Sequence, residues 1–382
     1  MSTGRGVGQD NLSIPEKLGQ ISWPFLVLLT IVAGVGFLSL YSAAGGSISP
    51  WAGKQATRFF LGLCGLVIVA LIDIRVWMKL AYPFYGLCLA LLVYVEIRGH
   101  IGMGAQRWIN LGFMQLQPSE IMKIASIMAL ARFFHASTAE DVRTPLFLAI
   151  PLGIALAPVS FVLIQPDLGT AVTLLLGAGA TFFLAGVSYW VFGLVIAGGL
   201  AMLPVAWHFL HDYQKRRVLV FLDPEKDPLG AGYHITQSKI ALGSGGISGK
   251  GFLQGSQSRL NFLPEKQTDF IFTLFTEEWG LIGGISLMAL FAAIVAYGCV
   301  IAMNCQNQFG RLLAMGIVAN FFIYIFINMG MVMGLLPVVG VPLPMISYGG
   351  TAMLSVLIGF GLMMSVHVHR DVKFTRRGLG MV

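Results

Sequence analysis

Long apolar runs recur along this chain, and they limit what it can fold into more than any other feature. Several contain roughly 18 or more apolar residues, enough to cross a hydrocarbon core of about 30 Å as a helix. Lipid offers no partner to a backbone amide or carbonyl, so such runs must satisfy their hydrogen bonds internally, as helices do. Composition agrees: 56% of the 382 residues are hydrophobic and 11% are charged, less than half the usual charged share of about 25%. Mean hydropathy is +0.80. The expected fold class is an all-α polytopic membrane protein of about ten spans: 21–43, 58–73, 79–97, 119–135, 145–164, 168–187, 189–210, 269–302, 312–336 and 351–368. The run from Ile21 to Ala44 is too long for the apolar part of a secretory signal and reads as the first span.

The net charge of +7 speaks of orientation and anionic head groups more than of nucleic acid. Arg75, Lys79, Arg132, Arg143, Arg311, Arg370, Lys373, Arg376 and Arg377 fall on the side of the N-terminus. The positive-inside rule makes that side cytoplasmic, with both termini there. Lys54, Arg58, Arg98 and Arg107 oppose this trend. The expected organisation is an N-terminal extension at 1–20, a transmembrane domain at 21–369 and a basic tail at 370–382. Within the domain, residues 211–268 form a large outer loop between spans seven and eight. An apolar piece from Tyr233 to Leu242 argues that this loop is ordered in part. Cys64, Cys88, Cys299 and Cys305 show no C-x-x-C spacing and read as packing residues.

Two shorter connections, 101–119 and 335–351, mix Pro, Gly and aromatics as re-entrant or cavity-lining backbone does. The run Gly243 to Gly251, GSGGISGKG, fails the phosphate-loop pattern: Ser244 stands where its leading Gly would be, and Gly251 follows Lys250. It reads as a tight, flexible loop, or as backbone amides facing a diphosphate. The basic cluster Lys215, Arg216 and Arg217 suits a head group or a diphosphate clamp. His208 and His211 have helical spacing but no carboxylate in register, so a metal site there is disfavoured.

Glu120 and Lys123 at i, i+3 open the fourth span and should pair facing the bundle interior, because a charged pair facing lipid is costly. Asp167 opens the sixth span and can cap it. Asp269 sits where a polar, Gly-rich segment meets a long apolar one. Leu281 to Ile301 alone can span a bilayer, so Asp269 to Trp279 is surplus length, with Thr273 and Thr276 on the Asp269 face. The macrodipole also favours a carboxylate at that helix start. Residue chemistry alone leaves catalysis, ligand contact and a structural role open there.

The order GAQRWINLG, QPSEIMK, QPDLGTA, FLDPEKDPLGAGYHITQSKIALGSGG, FLPEKQTDFIF and GVPLPMISYGGT closely resembles the SEDS family (shape, elongation, division and sporulation). The likeness runs from about Ile21 to His369 and lies nearer the rod-shape branch than the division branch. Gln267 departs from the pattern, standing where a histidine is common. The resemblance implies a peptidoglycan glycosyltransferase that polymerises lipid II at the outer face of the inner membrane. It also implies a class B penicillin-binding protein as cross-linking partner. The family's essential Asp matches Asp269.

An α-linked donor and a β-linked product need a single inverting displacement, for which one carboxylate base is enough. Diphosphate leaves without protonation, unlike the leaving groups handled by two-carboxylate glycosidases. Cationic side chains or a divalent cation, Mg or Mn, should neutralise it. The expected site is therefore Asp269 as base or metal ligand, with Arg216, Arg217 and Lys123 on the diphosphate. Arg58, Arg107 and Lys266 are further candidates, and Glu120 positions Lys123. No organic cofactor is expected. A lipid II flippase is the competing reading.

Overall fold

The computed structural model describes residues 13–102, 105–110, 112, 115–138, 140–209, 212–223, 231–256 and 265–372. The described chain is a bundle of helices with one small sheet. A short helix, α1 (Ile14–Gln20), precedes α2 (Trp23–Ala43), α3 (Ala52–Leu71) and α4 (Ile74–Arg98). A three-stranded antiparallel sheet follows, β1 (His100–Gly102), β2 (Ala105–Asn110) and β3 (Gln115–Leu116). Then come α5 (Pro118–His135), α6 (Pro145–Ile164), α7 (Leu168–Leu184), α8 (Tyr189–Phe209), α9 (Asp212–Leu222) and α10 (Ala231–Ser244). The bundle closes with α11 (Ile271–Met303), α12 (Gln308–Val332) and α13 (Gly350–Val368).

Seven of these helices, α2, α3, α4, α6, α11, α12 and α13, are long and apolar enough to cross a membrane. Helices also occupy the three other expected spans. Of these, α7 is short and α8 has a shorter apolar stretch, Tyr189–Met202. The third, α5, carries Glu120, Lys123 and Arg132. Almost every residue of α5 is buried against its neighbours. A helix shielded from lipid on all sides can carry charge that a lipid-facing one cannot. The helices of spans two and nine start several residues before the apolar runs do, at Ala52 and Gln308. This places Arg58 within a helix instead of at its mouth.

Apolar association drives little helix pairing in lipid, so close packing must supply it. The α3 and α13 pair has the most extensive contact in the molecule. It is possible because a Cβ at Gly62 would lie 2.4 Å from Leu357 Cδ1 and one at Gly361 would lie 2.9 Å from the Leu66 carbonyl.

One end of the bundle gathers both described termini. Lys17 Nζ donates to the Leu71 carbonyl at 3.0 Å, and Ser365 Oγ donates to the Ile72 carbonyl at 2.7 Å. The Gln306 amide donates to the Arg370 carbonyl at 3.0 Å, and Arg132 donates to the Met78 carbonyl at 2.7 Å. The opposite end, here the loop end, carries the sheet, the 245–256 and 265–270 segments and the 335–349 connection. The 101–119 connection, expected as re-entrant or cavity-lining backbone, has strands among its described residues. These pair within the sheet, Ile109 with Leu116 and Asn110 with Gln115, so their backbone groups bond one another.

Candidate active site

Asp269 lies in the turn 265–270 that enters α11, partly exposed at the loop end. Three successive carbonyls of that turn are each held from outside it. The Tyr348 amide donates to the Gln267 carbonyl at 2.8 Å, and Ser347 Oγ donates to the Thr268 carbonyl at 2.6 Å. Asn328 Nδ2 donates to the Asp269 carbonyl at 3.0 Å and to the Val341 carbonyl at 2.7 Å. Ser347 is fixed in turn, since its hydroxyl accepts from the Leu343 amide and its carbonyl accepts from the buried Gln55 Nε2. The Asp269 carboxylate lies over bare backbone: a Cβ at Gly340 would sit 3.5 Å from its Oδ2.

A second polar group lies in the interior. Lys123 Nζ donates to Glu120 Oε1 at 2.6 Å, and both side chains are almost wholly buried. Tyr324 donates its hydroxyl to the same carboxylate at 3.0 and 3.2 Å. Its ring lies 4.2 Å beneath the Lys123 ammonium, a cation–π contact. Glu120, Lys123, Asn320, Tyr324 and Ser355 line a small cavity of about 20 Å³, enough for a water. The expected inward pairing of Glu120 with Lys123 is thus found. For Lys123 to contact a diphosphate, its ammonium would have to leave Glu120.

One face of α12 connects the two groups. Asn320, Tyr324 and Asn328 recur every four residues, so Tyr324 beside the ion pair and Asn328 beneath Asp269 are about 6 Å apart along the axis. Sequence reading missed all three. Their spacing was the available signal: polar side chains at i, i+4, i+8 in an otherwise apolar span.

The other candidate cations divide by place. Arg58 stacks over the Tyr348 ring, 5.0 Å from its centroid, next to the residues that clamp the Asp269 turn. Lys266, three residues before Asp269, is half-buried, and burial holds its ammonium below the ordinary lysine range. Arg107 is committed elsewhere. Its guanidinium donates to the carbonyls of Gln165 and Pro166 and lies 3.6 Å from Asp167. Asp167 caps α7 by accepting from the Thr170 amide. Arg216 and Arg217 belong to α9, but their side chains lie outside what is described, as does His211.

The glycine run is not a loose loop. α11 breaks at Gly280, whose φ of 66° and ψ of −163° end one helical segment and begin another, and the run packs into that break. The amides of Lys250 and Gly251 donate to the carbonyls of Glu277 and Glu278, and the amides of Leu281 and Ile282 donate to those of Gly246 and Ile247. A Cβ at Gly249, where φ is +80°, would lie 2.1 Å from the Glu278 carbonyl. These contacts replace the helical bonds lost at the break, so the Lys250 and Gly251 amides are not free to receive a phosphate. Lys250 Nζ also pairs with the buried Glu277 at 2.8 Å. Thr273 bonds Ser238 of α10 at 2.8 Å and Thr276 bonds the Phe272 carbonyl. They therefore hold the segment in place and do not extend a polar stripe from Asp269.

The family model described as cell cycle protein, covering FtsW, RodA and SpoVE, matches residues 21–372. The chain belongs to this family. As a SEDS protein it is 46% identical over 350 residues to the peptidoglycan glycosyltransferase MrdB of Escherichia coli K12, covering 91% of this chain and 93% of that one. It is 33% identical over 359 residues to the stage V sporulation protein E of Bacillus subtilis, covering 89% and 95%. Among solved structures it matches the rod shape determining protein RodA of Thermus thermophilus with a TM-score of 0.70 at 28% identity, covering 92% and 98%. It also matches a chain from work on the structural coordination of polymerization and crosslinking by a peptidoglycan synthase complex. That match has a TM-score of 0.79 at 32% identity and covers 92% and 98%. The residues that hold the carbonyls of the Asp269 turn come from the GVPLPMISYGGT motif, Ser347 and Tyr348, and from Asn328 in the span before it.

Proposed function

We propose that this chain is a peptidoglycan glycosyltransferase that polymerises lipid II, with Asp269 as the base. The observation that carries this reading is the 46% identity over nearly the whole chain to a protein named for that activity. Asp269 supplies the chemistry the reaction requires. Its carboxylate takes the proton from the acceptor sugar hydroxyl as that oxygen bonds the anomeric carbon of the donor. The bond from that carbon to the diphosphate breaks, and undecaprenyl diphosphate leaves as an anion. Lys266 within the Asp269 turn and Arg58 beside it can neutralise the leaving group, and Arg216 and Arg217 of α9 are proposed to reach it as well. Glu120 and Lys123 support the site from below. Arg107 holds the sheet to the start of α7.

In the competing role, Asp269 would be the one protein carboxylate of a divalent cation, Mg²⁺ or Mn²⁺, held chiefly by the substrate's own phosphates and water. Such an ion would supply further neutralisation of the leaving diphosphate.

The end bearing Arg75, Lys79, Arg132, Arg143, Arg311 and Arg370 is proposed to face the cytoplasm, with ten crossings of the inner membrane and the loop end in the periplasm. On this reading 1–20 and 370–382 are cytoplasmic and 211–268 is the large outer connection. A class B penicillin-binding protein is the proposed partner, in keeping with the matched synthase complex described as coordinating polymerization and crosslinking.

The test is glycan polymerisation from lipid II by purified protein, wild type beside Asp269→Asn, with partner and Mg²⁺ or Mn²⁺ present. Polymer from wild type alone, both proteins being folded, is the expected result. Equal polymer from both would remove Asp269 from the chemistry, and none from either would turn the reading to a lipid II flippase.

A further inference from the structure

The three carbonyls leading into Asp269 have unequal anchors. Those on Gln267 and Thr268 come from the adjoining 347–348 segment, a backbone amide and a serine hydroxyl. The one on Asp269 itself is a carboxamide from the last turn of α12, and Asn328 is wholly buried. Both acceptors of its amino group touch the carboxylate's surroundings. One is the peptide carbonyl of Asp269. The other is the carbonyl of Val341, the residue after Gly340, over which the carboxylate lies. A single planar group thus fixes the distance between the Asp269 backbone and the floor beneath its side chain.

The orientation of that carboxamide follows from its neighbours. Turned over, it would set Oδ1 against two carbonyl oxygens, so the amino group must face them. The consequence is that Asn328 Oδ1 is buried without a hydrogen-bond partner. A buried acceptor left unpaired destabilises a fold. A locally unfavourable choice beside a reacting group is where function is to be sought.

We infer that Asn328 is the positioning residue for Asp269, holding its backbone and the Gly340 floor at the spacing proton transfer requires. The inference rests on the reading of Asp269 as the base. Asn328 touches no substrate; it acts by keeping the carboxylate where a small displacement would cost a large share of the rate.

The experiment compares wild type, Asp269→Asn, Asn328→Leu and Asn328→Ala as full-length proteins with the partner present. It measures kcat and KM for lipid II together with the thermal unfolding midpoint. Asn328→Leu removes the unpaired Oδ1 but also the donor to the Asp269 and Val341 carbonyls, so its midpoint is expected to fall, while KM stays within about twofold and kcat per folded molecule drops by about tenfold or more. Asn328→Ala is expected to show the same fall in kcat with a lower midpoint, and it carries the test at a temperature where it is folded should leucine not be accommodated. A residue that serves folding alone would lower the midpoint and leave kcat per folded molecule unchanged, and that result overturns the inference. If Asp269→Asn is inactive while the folded Asn328 variants turn over at the wild-type rate, this inference falls and the base assignment stands. If Asp269→Asn polymerises normally, the base assignment falls and this inference falls with it.

Discussion

The buried Glu120 and Lys123 pair gives a sharp test of how charge is held inside this bundle. Removing one partner of a buried ion pair typically costs about 3–5 kcal/mol, whereas replacing both by uncharged groups of similar size is often near neutral. Lys123→Met leaves the Glu120 carboxylate with the Tyr324 hydroxyl at 3.0 and 3.2 Å. Ser355 adds a contact at the 3.5 Å limit. Neither donor is charged, so the full cost of about 3–5 kcal/mol is expected. Glu120→Gln should be milder, about 2 kcal/mol, because the amide oxygen still accepts from Lys123 and the ammonium keeps the Tyr324 ring. The double variant leaves no buried charge and should lie within about 1 kcal/mol of wild type. The assay is the unfolding free energy of the four proteins in mixed micelles, combined as a double-mutant cycle with an expected coupling of about 3 kcal/mol or more. Additive single costs would refute the reasoning, as would a Lys123→Met protein within about 0.5 kcal/mol of wild type, a change typical of surface positions. The double variant is also expected to polymerise more slowly than wild type although it folds, because the polar support beneath Asp269 is gone.

Gly249→Ala should destabilise by about 1–3 kcal/mol or more, from a left-handed backbone and a Cβ driven into the Glu278 carbonyl, and a denaturation midpoint unchanged from wild type would contradict the lock at Gly280. If, as proposed, Arg58 meets the lipid II diphosphate in ground and transition states alike, Arg58→Leu raises KM for lipid II more than it lowers kcat; steady-state kinetics decide. Lys266 gives a pH dependence. Its folded pKa is lowered from 10.5 by burial, so the folded chain binds that proton less tightly than the unfolded chain does. The penalty is fully present below the lowered value and fades as pH rises toward 10.5. Lys266→Met should therefore unfold at a higher temperature than wild type at pH 8, with the gap closing at higher pH, and a gap independent of pH would exclude this cause.

The spans were legible because lipid allows few alternatives to a helix, and the inward pairing of Glu120 with Lys123 followed from the cost of charge in hydrocarbon. The helix within the long connection was legible too: Ile235, Ser238 and Ala241 give α10 the buried face that the apolar piece there implied. The glycine run was opaque because its meaning lies in a contact about thirty residues away along the chain, where Gly280 breaks α11. Composition reports that a run of glycines can be flexible; only its neighbour shows that it is packed. The sheet hid for a similar reason, its strands being short and rich in polar residues. Asn320, Tyr324 and Asn328 sat inside an apolar run, where single polar residues attract little weight until their common face is known.

The surroundings of Asp269 also bear on the choice between polymerisation and transport. A flippase must present its polar groups to each face of the membrane in turn, which needs an element with two arrangements of similar energy. Here the carbonyls of Gln267, Thr268 and Asp269 are each held from another element, and the residues that hold them are held in turn by Gln55, Leu343 and Val341. Moving the carboxylate toward the other face would break this set of bonds together and leave several buried groups unpaired. Such a frame favours a reaction in which one carboxylate meets one hydroxyl at a fixed place, because a base held in position spares the transition state the cost of finding it. Rigidity at Asp269 is thus what polymerisation requires and what alternating access would have to undo.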